Sequence, residues 1–366
     1  MNQTILAINP GSTSTKIALF EGEELKFQHN VVHSAEELRD FSTVASQFSL
    51  RKGAVVSELK EMGVELTDID AVIGRGGLIY PLESGIYEVN ELMKQDLHNP
   101  PYGEHASNLG GLIAEDLAAE ITELKGEKVH AYIADPVVVD ELQDVARISG
   151  HPNFERNSIF HALNQKAIAR KYAKDKGKKY EELNLIVAHL GGGISVGAHR
   201  NGRVVDVNNA LDGEGAFSPE RSGTLPAGQL VKCCFSGKYT QDEIKKMLKG
   251  NGGLVAYLGT NDGREARAMV AAGDKKAALV LDAMNYQISK LIGEMAVVLC
   301  GKVDAIIVTG GLAHSKSGTA AIREQAGWIA PVEIYAGEDE MGALASSALR
   351  VLSGECAARE YLGKKN

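Results

Sequence analysis

The sequence predicts an α/β protein of two similar domains, on three observations. Residues 185–202 repeat residues 5–22 at a constant offset of 180 with no gap, each copy reading strand, tight polar turn, strand, tight turn, strand. The turn residues coincide: Gly11 over Gly191, Ser12 over Gly192, Gly22 over Gly202. Second, 366 residues exceed what one hydrophobic core usually fills, so two domains of roughly 150–200 residues are expected. Third, apolar strand-like runs end in Arg75, in Asp135 and in Gly310-Gly311, the place where α/β folds put ligands. The expected division is residues 1–155, completed by the C-terminal helix 341–366, and residues 156–340, with the two hairpin turns facing one interdomain cleft.

Composition narrows the partners. Hydrophobic residues make up 44% and charged residues 24%, ordinary for a soluble globular protein. A net charge of −9 disfavours nucleic acid and anionic membrane, so any bound anion must be held by local positive groups. No run of about 18 apolar residues is present to span a bilayer, and Met1-Asn-Gln-Thr4 leads straight into a strand; no signal peptide and a cytoplasmic location are expected. Cys233, Cys234, Cys300 and Cys356 lack metal-site spacing and disulfide density and read as core thiols.

In chain order, residues 25–32 form a third strand, 41–62 a mostly polar helical stretch and 71–74 a short buried strand ending in Arg75-Gly-Gly77. His98 stands in His98-Asn-Pro-Pro101, which two prolines mark as a fixed, non-helical connection. Residues 106–125 carry Leu109, Leu112, Ile113, Leu117, Ile121 and Leu124 at the spacing of a core-facing helix that Gly126 stops. Strand 129–134 leads to Asp135-Pro136, a helix-capping signal compatible with a catalytic Asp135. Residues 158–176 read as a helix, 217–223 as a loop carrying Arg221, and 259–264, with Asp262 and Arg264, as a polar turn opening a helix. Residues 275–300 are apolar nearly all round and read as a buried central helix. Strand 304–308 precedes Thr309-Gly-Gly311, where a glycine pair admits a flat base or ribose. Strand 332–335, the acidic loop 337–340 and a last helix complete the chain.

The polar groups gathered at these ends are Asn9, Ser12, Ser14, Lys16, Arg75, His98, His189, Arg221 and Arg264, with Asp135, Asp262 and Glu340 as acids. Fixed cations and hydrogen-bond donors dominate, and no nucleophile stands with its base. Phosphoryl transfer has this need, since its catalysis is mostly positioning and charge stabilisation. Neither hairpin turn is a Walker loop or a dinucleotide fingerprint, because both run into strands rather than helices. Both turns suit phosphate as nests of backbone N–H groups. A carboxylate acceptor fits better than an alcohol, being already ionised at neutral pH.

Residues 8–16 (Ile-Asn-Pro-Gly-Ser-Thr-Ser-Thr-Lys), 74–77 (Gly-Arg-Gly-Gly), 97–101 (Leu-His-Asn-Pro-Pro), 189–193 (His-Leu-Gly-Gly-Gly), 220–223 (Glu-Arg-Ser-Gly) and 309–311 (Thr-Gly-Gly) together resemble the acetokinase family over nearly the whole chain. Where the segment Ala134-Asp-Pro-Val-Val138 around Asp135, Gly192 and Glu220 depart from the acetate kinase pattern, they agree with the butyrate branch. The resemblance implies two ribonuclease-H-like domains of the actin, sugar kinase and heat-shock ATPase type, with ATP and Mg2+ in the cleft. It implies reversible transfer between ATP and a short-chain fatty acid, butanoate first, giving ADP and an acyl phosphate. Branched-chain, propionate and acetate kinases are the near alternatives; a sugar kinase of the same fold or a non-catalytic nucleotide binder is more distant. Carried over, Asn9, Ser12, Ser14 and Lys16 would line the phosphate side, and Arg75 and Arg221 would bind the acyl and phosphoryl groups. His189 would stabilise the transition state and Asp135 would orient the site; His98 by its own position reads as a rigid phosphate-side anion donor or as a loop histidine. Gly191, Gly192, Gly193, Asp262, Arg264, Gly310 and Gly311 would hold the nucleotide, and Asn9 and Glu340 the metal. A homodimer or larger homo-oligomer is expected.

Overall fold

The computed structural model describes residues 3–364. The chain forms two compact units, one running up to Val139 and resuming at Asp339, the other spanning Asp140–Glu338.

In the first unit, β1 (Thr4–Pro10) is the central strand, and Ile5, Leu6, Ala7 and Ile8 are fully buried, as a continuous apolar run covered on both faces requires. It pairs antiparallel with β2 (Ser14–Glu21), which pairs with β3 (Glu24–Val32). On its other side β1 pairs parallel with β4 (Ala71–Arg75). The short β5 (Ile86–Glu88) closes the sheet against β6 (His130–Ala134), giving the order β3-β2-β1-β4-β6-β5. Helix Asn108–Lys125 covers β4 and ends at left-handed Gly126. Leu109, Leu112, Ile113, Leu117 and Ile121 are buried as their spacing predicts, whereas Leu124 in the last turn faces solvent. Helix Glu340–Leu352 packs on β1 and β4 and so delivers Glu340 to this sheet.

The second unit repeats the plan. β7 (Asn184–Leu190), β8 (Ile194–Arg200) and β9 (Arg203–Val207) form an antiparallel meander, and β10 (Ala305–Gly310) and β11 (Val332–Ala336) add parallel to β7. The order β9-β8-β7-β10-β11 matches β3-β2-β1-β4-β6 position for position. Even the register shift between second and third strands recurs, at Leu19/Phe20 and at Ala198/His199.

Several expectations are corrected. The first boundary falls at 139/140 rather than 155/156, because residues 140–156 are tied to the second sheet: the Gln143 N–H donates to the Val205 carbonyl (3.0 Å), and Arg156 pairs with Asp206 (3.0 Å). The second falls at 338/339, the Asp339 side chain capping the last helix. The stretch 158–176 is helical only over Ala162–Asp175. Helix Lys275–Val298 is not buried all round; Leu279, Tyr286 and Val297 are exposed, and the core takes only the Met284, Ile288, Leu291, Ile292 and Met295 side. The cysteines are not core thiols: Cys234 and Cys300 are exposed, and Cys233 and Cys356 half-buried, because they sit at helix ends and turns. No helix starts at Asp135-Pro136; Asp135 takes φ +38° in a turn after β6.

Candidate active site

In the first unit the groups gather at the open ends of β1, β2 and β4. Asn9 and Lys16 face each other across the β1–β2 ladder, which brings their side chains together. Asn9, almost fully buried, donates from Nδ2 to Glu340 Oε2 (2.7 Å), and Arg75 Nη1 donates to Glu340 Oε1. One carboxylate thus joins a residue from the first strand to an arginine from the fourth. Ser12 and Ser14 lie on the turn between, which closes through the Gly11 N–H to the Ser14 carbonyl (2.7 Å).

Asp135 follows Ala134, which pairs with Arg75 in the β4–β6 register. It is buried, and its Oδ1 accepts from the Ser84 hydroxyl (2.6 Å) and the Gly85 N–H (2.8 Å). Its carboxylate is therefore held by tertiary donors rather than by a helix terminus. His98 ends helix Glu91–His98, correcting the non-helical assignment, and its exposed side chain has no hydrogen bond among the described residues; the prolines stop the helix one residue later than expected.

In the second unit, His189 sits at the end of β7 with 1% exposure. Its Nδ1–H donates to Asn164 Oδ1 (2.9 Å), and its Nε2 lies 3.5 Å from the Glu338 carboxylate. A second imidazole, His161, lies flat on it at 3.9 Å between ring centroids. The Ser195 hydroxyl oxygen accepts from Gln165 Nε2 (2.8 Å) and lies 2.9 Å from His161 Nδ1, which orients the His161 ring. His161 is half-exposed. Sequence reasoning missed it, absorbing Phe160-His161-Ala162 into a helix start; a histidine just ahead of a helix was the only signal.

The turn after β7 is built around Arg221. The Gly191 N–H donates to the Gly193 carbonyl (3.0 Å), and the Ser218 hydroxyl donates to the Gly192 carbonyl (2.6 Å), fastening the loop 217–223 to the turn. A Cβ on Gly193 would fall 1.9 Å from Arg221 Nη1, so the guanidinium lies directly on the turn's backbone. Arg221 Nη1 donates to the Ala210 carbonyl (2.6 Å), while its buried Nε has no acceptor among the described residues. Burial pulls the Arg221 pKa down, yet guanidinium stays charged. A buried charge with an unanswered donor is the arrangement expected of a group that waits for an anion.

Thr309, Gly310 and Gly311 end β10. Gly310 has φ +91°, and a Cβ there would lie 2.5 Å from the Leu190 carbonyl oxygen, so no other residue fits. Beyond them a cavity of about 400 Å³ opens between the helices, lined by Gly263, Arg267, Asp282, Asn285, Leu312 and Ser315. Asp262 caps helix Gly263–Ala271, and the Arg264 N–H and guanidinium hold its carboxyl down to a pKa of about 2. The Arg264 side chain is otherwise exposed.

Residues 155–332 match the acetokinase family. Over 361 residues the chain is 55% identical to butyrate kinase 2 of Clostridium acetobutylicum, which covers 99% of this chain and 100% of that protein. It is 54% identical over 358 residues to a probable butyrate kinase of Bacteroides thetaiotaomicron, covering 98% and 99%. The chain belongs to the acetokinase family. Among solved structures, acetate kinase of Porphyromonas gingivalis superposes with a TM-score of 0.75 at 18% identity, over 96% of this chain and 100% of that one. A propionate kinase from Francisella tularensis gives 0.71, also at 18%, over 94% and 98%. At these identities the likeness establishes the fold, two ribonuclease-H-like units, in agreement with the sequence reading.

Proposed function

We propose that the chain moves the γ-phosphoryl group of ATP reversibly onto butanoate, giving butanoyl phosphate and ADP. The observation that carries this reading is 51–55% identity, over nearly the whole chain, to proteins named butyrate or probable butyrate kinase. A carboxylate oxygen forms the new O–P bond as the bond from the γ-phosphorus to the ADP oxygen breaks. No proton has to move, because a carboxylic acid with a pKa near 4 is ionised at neutral pH. The chain accordingly offers cations and N–H donors rather than a base.

Arg75 and Arg221 neutralise the carboxylate and the transferring phosphoryl, and Asp135 orients the end of the sheet beside Arg75. The histidine pair supplies a donor: His189, held at Nδ1 by Asn164, stabilises the developing phosphoryl charge, and His161 stacked flat on it fixes its plane. Asn9, Ser12, Ser14 and Lys16 take phosphate oxygens, as do the N–H groups of the turn 191–193. Adenosine takes the cavity lined by Gly263 and Leu312, next to Gly310 and Gly311 in the chain, with Asp262 and Arg264 flanking Gly263. His98, exposed at the end of helix Glu91–His98, offers its imidazole as a further anion donor.

Magnesium fits the first unit. It prefers oxygen ligands, takes one or two from protein and the rest from phosphates and water. Asn9 and Glu340 offer such oxygens, whereas no cluster of three or more His, Cys, Asp or Glu exists among the described residues. These two would hold it, and it would lower the charge of the nucleotide phosphates. We place the protein in the cytoplasm as a homodimer or larger homo-oligomer; no helix among the described residues is long and apolar enough to cross a membrane.

Acyl phosphate trapped as the hydroxamate, with ATP, Mg2+ and acids from acetate to isovalerate, tests the reading. Best kcat/KM on butanoate is expected. Best kcat/KM on acetate or propionate would overturn the acid assignment, and no product with any acid would overturn the activity.

A further inference from the structure

We propose that Arg51 is the positioning residue of the phosphate-binding turn 11–14: its guanidinium draws the turn's carbonyls inward and turns the N–H and hydroxyl groups out toward an anionic phosphate. This rests on the kinase reading above. Arg51 stands on helix Phe48–Glu61 and is among the largest fully buried side chains of the protein. Its Nη1 donates to the Ser14 carbonyl (2.9 Å) and to Thr15 Oγ1 (3.1 Å). Its Nη2 donates to the Ser12 carbonyl (3.1 Å) and to Gln47 Oε1 (2.9 Å), and Nε donates to the same Gln47 oxygen (3.1 Å).

Buried His33 completes the grip. Its N–H donates to the Thr13 carbonyl (2.8 Å), and its ring Nε2 lies 2.8 Å from Thr15 Oγ1. The carbonyls of Ser12, Thr13 and Ser14 are therefore all tied back to buried groups. Ser12 and Thr13 are themselves exposed, and their N–H groups have no acceptor among the described residues. Two outward N–H groups beside hydroxyls make an anion nest. Among the described residues no carboxylate pairs with Arg51, and burial alone shifts its ionisation. Its positive charge is thus left to act on whatever the turn binds, and an unpaired buried cation that only closed a turn would be an expensive way to do so.

The test compares the full-length protein with Arg51→Lys, which keeps the charge but cannot reach both carbonyls, and with Arg51→Ala supplied with methylguanidinium. KM for ATP and for butanoyl phosphate should rise about tenfold or more in Arg51→Lys, with KM for butanoate within about twofold of the parent. Calorimetric ATP affinity should fall in step, and methylguanidinium should restore it in Arg51→Ala. Unchanged ATP affinity in Arg51→Lys, or an equal loss for butanoate, overturns the inference. Because ATP affinity is read without turnover, a parent protein that binds ATP but makes no acyl phosphate would refute the kinase reading and still decide the role of Arg51.

Discussion

His161 lies flat on His189, with ring centroids 3.9 Å apart and planes 18° from parallel, so neither imidazole can turn without moving the other. If the pair delivers one donor to the phosphoryl group, each should be needed and the two should not count twice. His161→Ala is expected to lower kcat by about 10²–10³, as loss of one transition-state donor does, with a smaller change in KM for ATP. His189→Ala should cost a similar amount, and the double variant little more than either. Additive losses in single-turnover rates would separate the two rings.

Arg75→Ala and Arg221→Ala should each reduce kcat by about 10² or more, some 2.7–4 kcal/mol of transition-state stabilisation. Gly193 offers a sharper probe. A methyl placed 1.9 Å from Arg221 Nη1 must push the guanidinium off the turn. Gly193→Ala should therefore lose about as much activity as Arg221→Ala, and combining the two should add little. Full turnover in Gly193→Ala, measured on protein whose melting midpoint is unchanged, would remove Arg221 from the chemistry.

What the sequence made legible follows from where the signals are local. The hairpin repeat was readable because strand alternation and turn glycines are short-range rules, and the strands start at Thr4 and Asn184, 180 residues apart. The partnership of Asn9 with Glu340 spans 331 positions, and only the resemblance to known kinases put the two together. Asp135 misled because Asp-Pro is a capping signal by composition, whereas its φ of +38° and its Ser84 and Gly85 donors are tertiary. Arg51 was hidden for the opposite reason: an arginine in a polar helix reads as solvated, and nothing nearby in sequence says that it points at the turn 12–15.

Fully buried His199 ties stability to pH. The Tyr180 hydroxyl donates to its Nδ1 (2.6 Å) and its Nε2–H donates to Gln165 Oε1 (2.9 Å), while burial holds its pKa well below the usual histidine value. Above about pH 6.5 the residue is neutral folded and unfolded, and nothing is lost. Below it the unfolded chain takes up a proton that the folded one refuses, so stability falls by up to about 1.4 kcal/mol per pH unit until the depressed folded pKa is reached. Urea unfolding at pH 6.5 and 5.5 should show this slope in the parent and a smaller one in His199→Gln. Equal slopes would mean that His199 is protonated in the folded protein.

The C-terminal segment braces the turn that holds Asp135. The Arg359 N–H donates to the Ile86 carbonyl (2.7 Å), the Glu88 N–H donates to the Arg359 carbonyl (3.2 Å), and the Arg359 guanidinium pairs with Glu83 (3.0 Å). Buried Tyr361 donates to Asp96 (2.7 Å) and accepts the Tyr80 N–H (3.2 Å). Ser84 and Gly85, between Glu83 and Ile86, are the donors to the Asp135 carboxylate. Loosening this edge should reach the active site through Asp135 and leave the second unit untouched. Tyr361→Phe should cost about 1–2 kcal/mol of stability with kcat nearly unchanged, because it removes hydrogen bonds but keeps the packing. Removing the chain beyond Cys356 strips β5 of its backbone contacts to Arg359 and leaves it paired on one side only, with β6. That variant should lose kcat by about tenfold while its ATP affinity stays within about twofold of the parent, since among the described residues the removed segment bonds to neither the turn 11–14 nor the cavity lined by Gly263 and Leu312. Parental kcat in the shortened chain would show that Asp135 keeps its place without the brace.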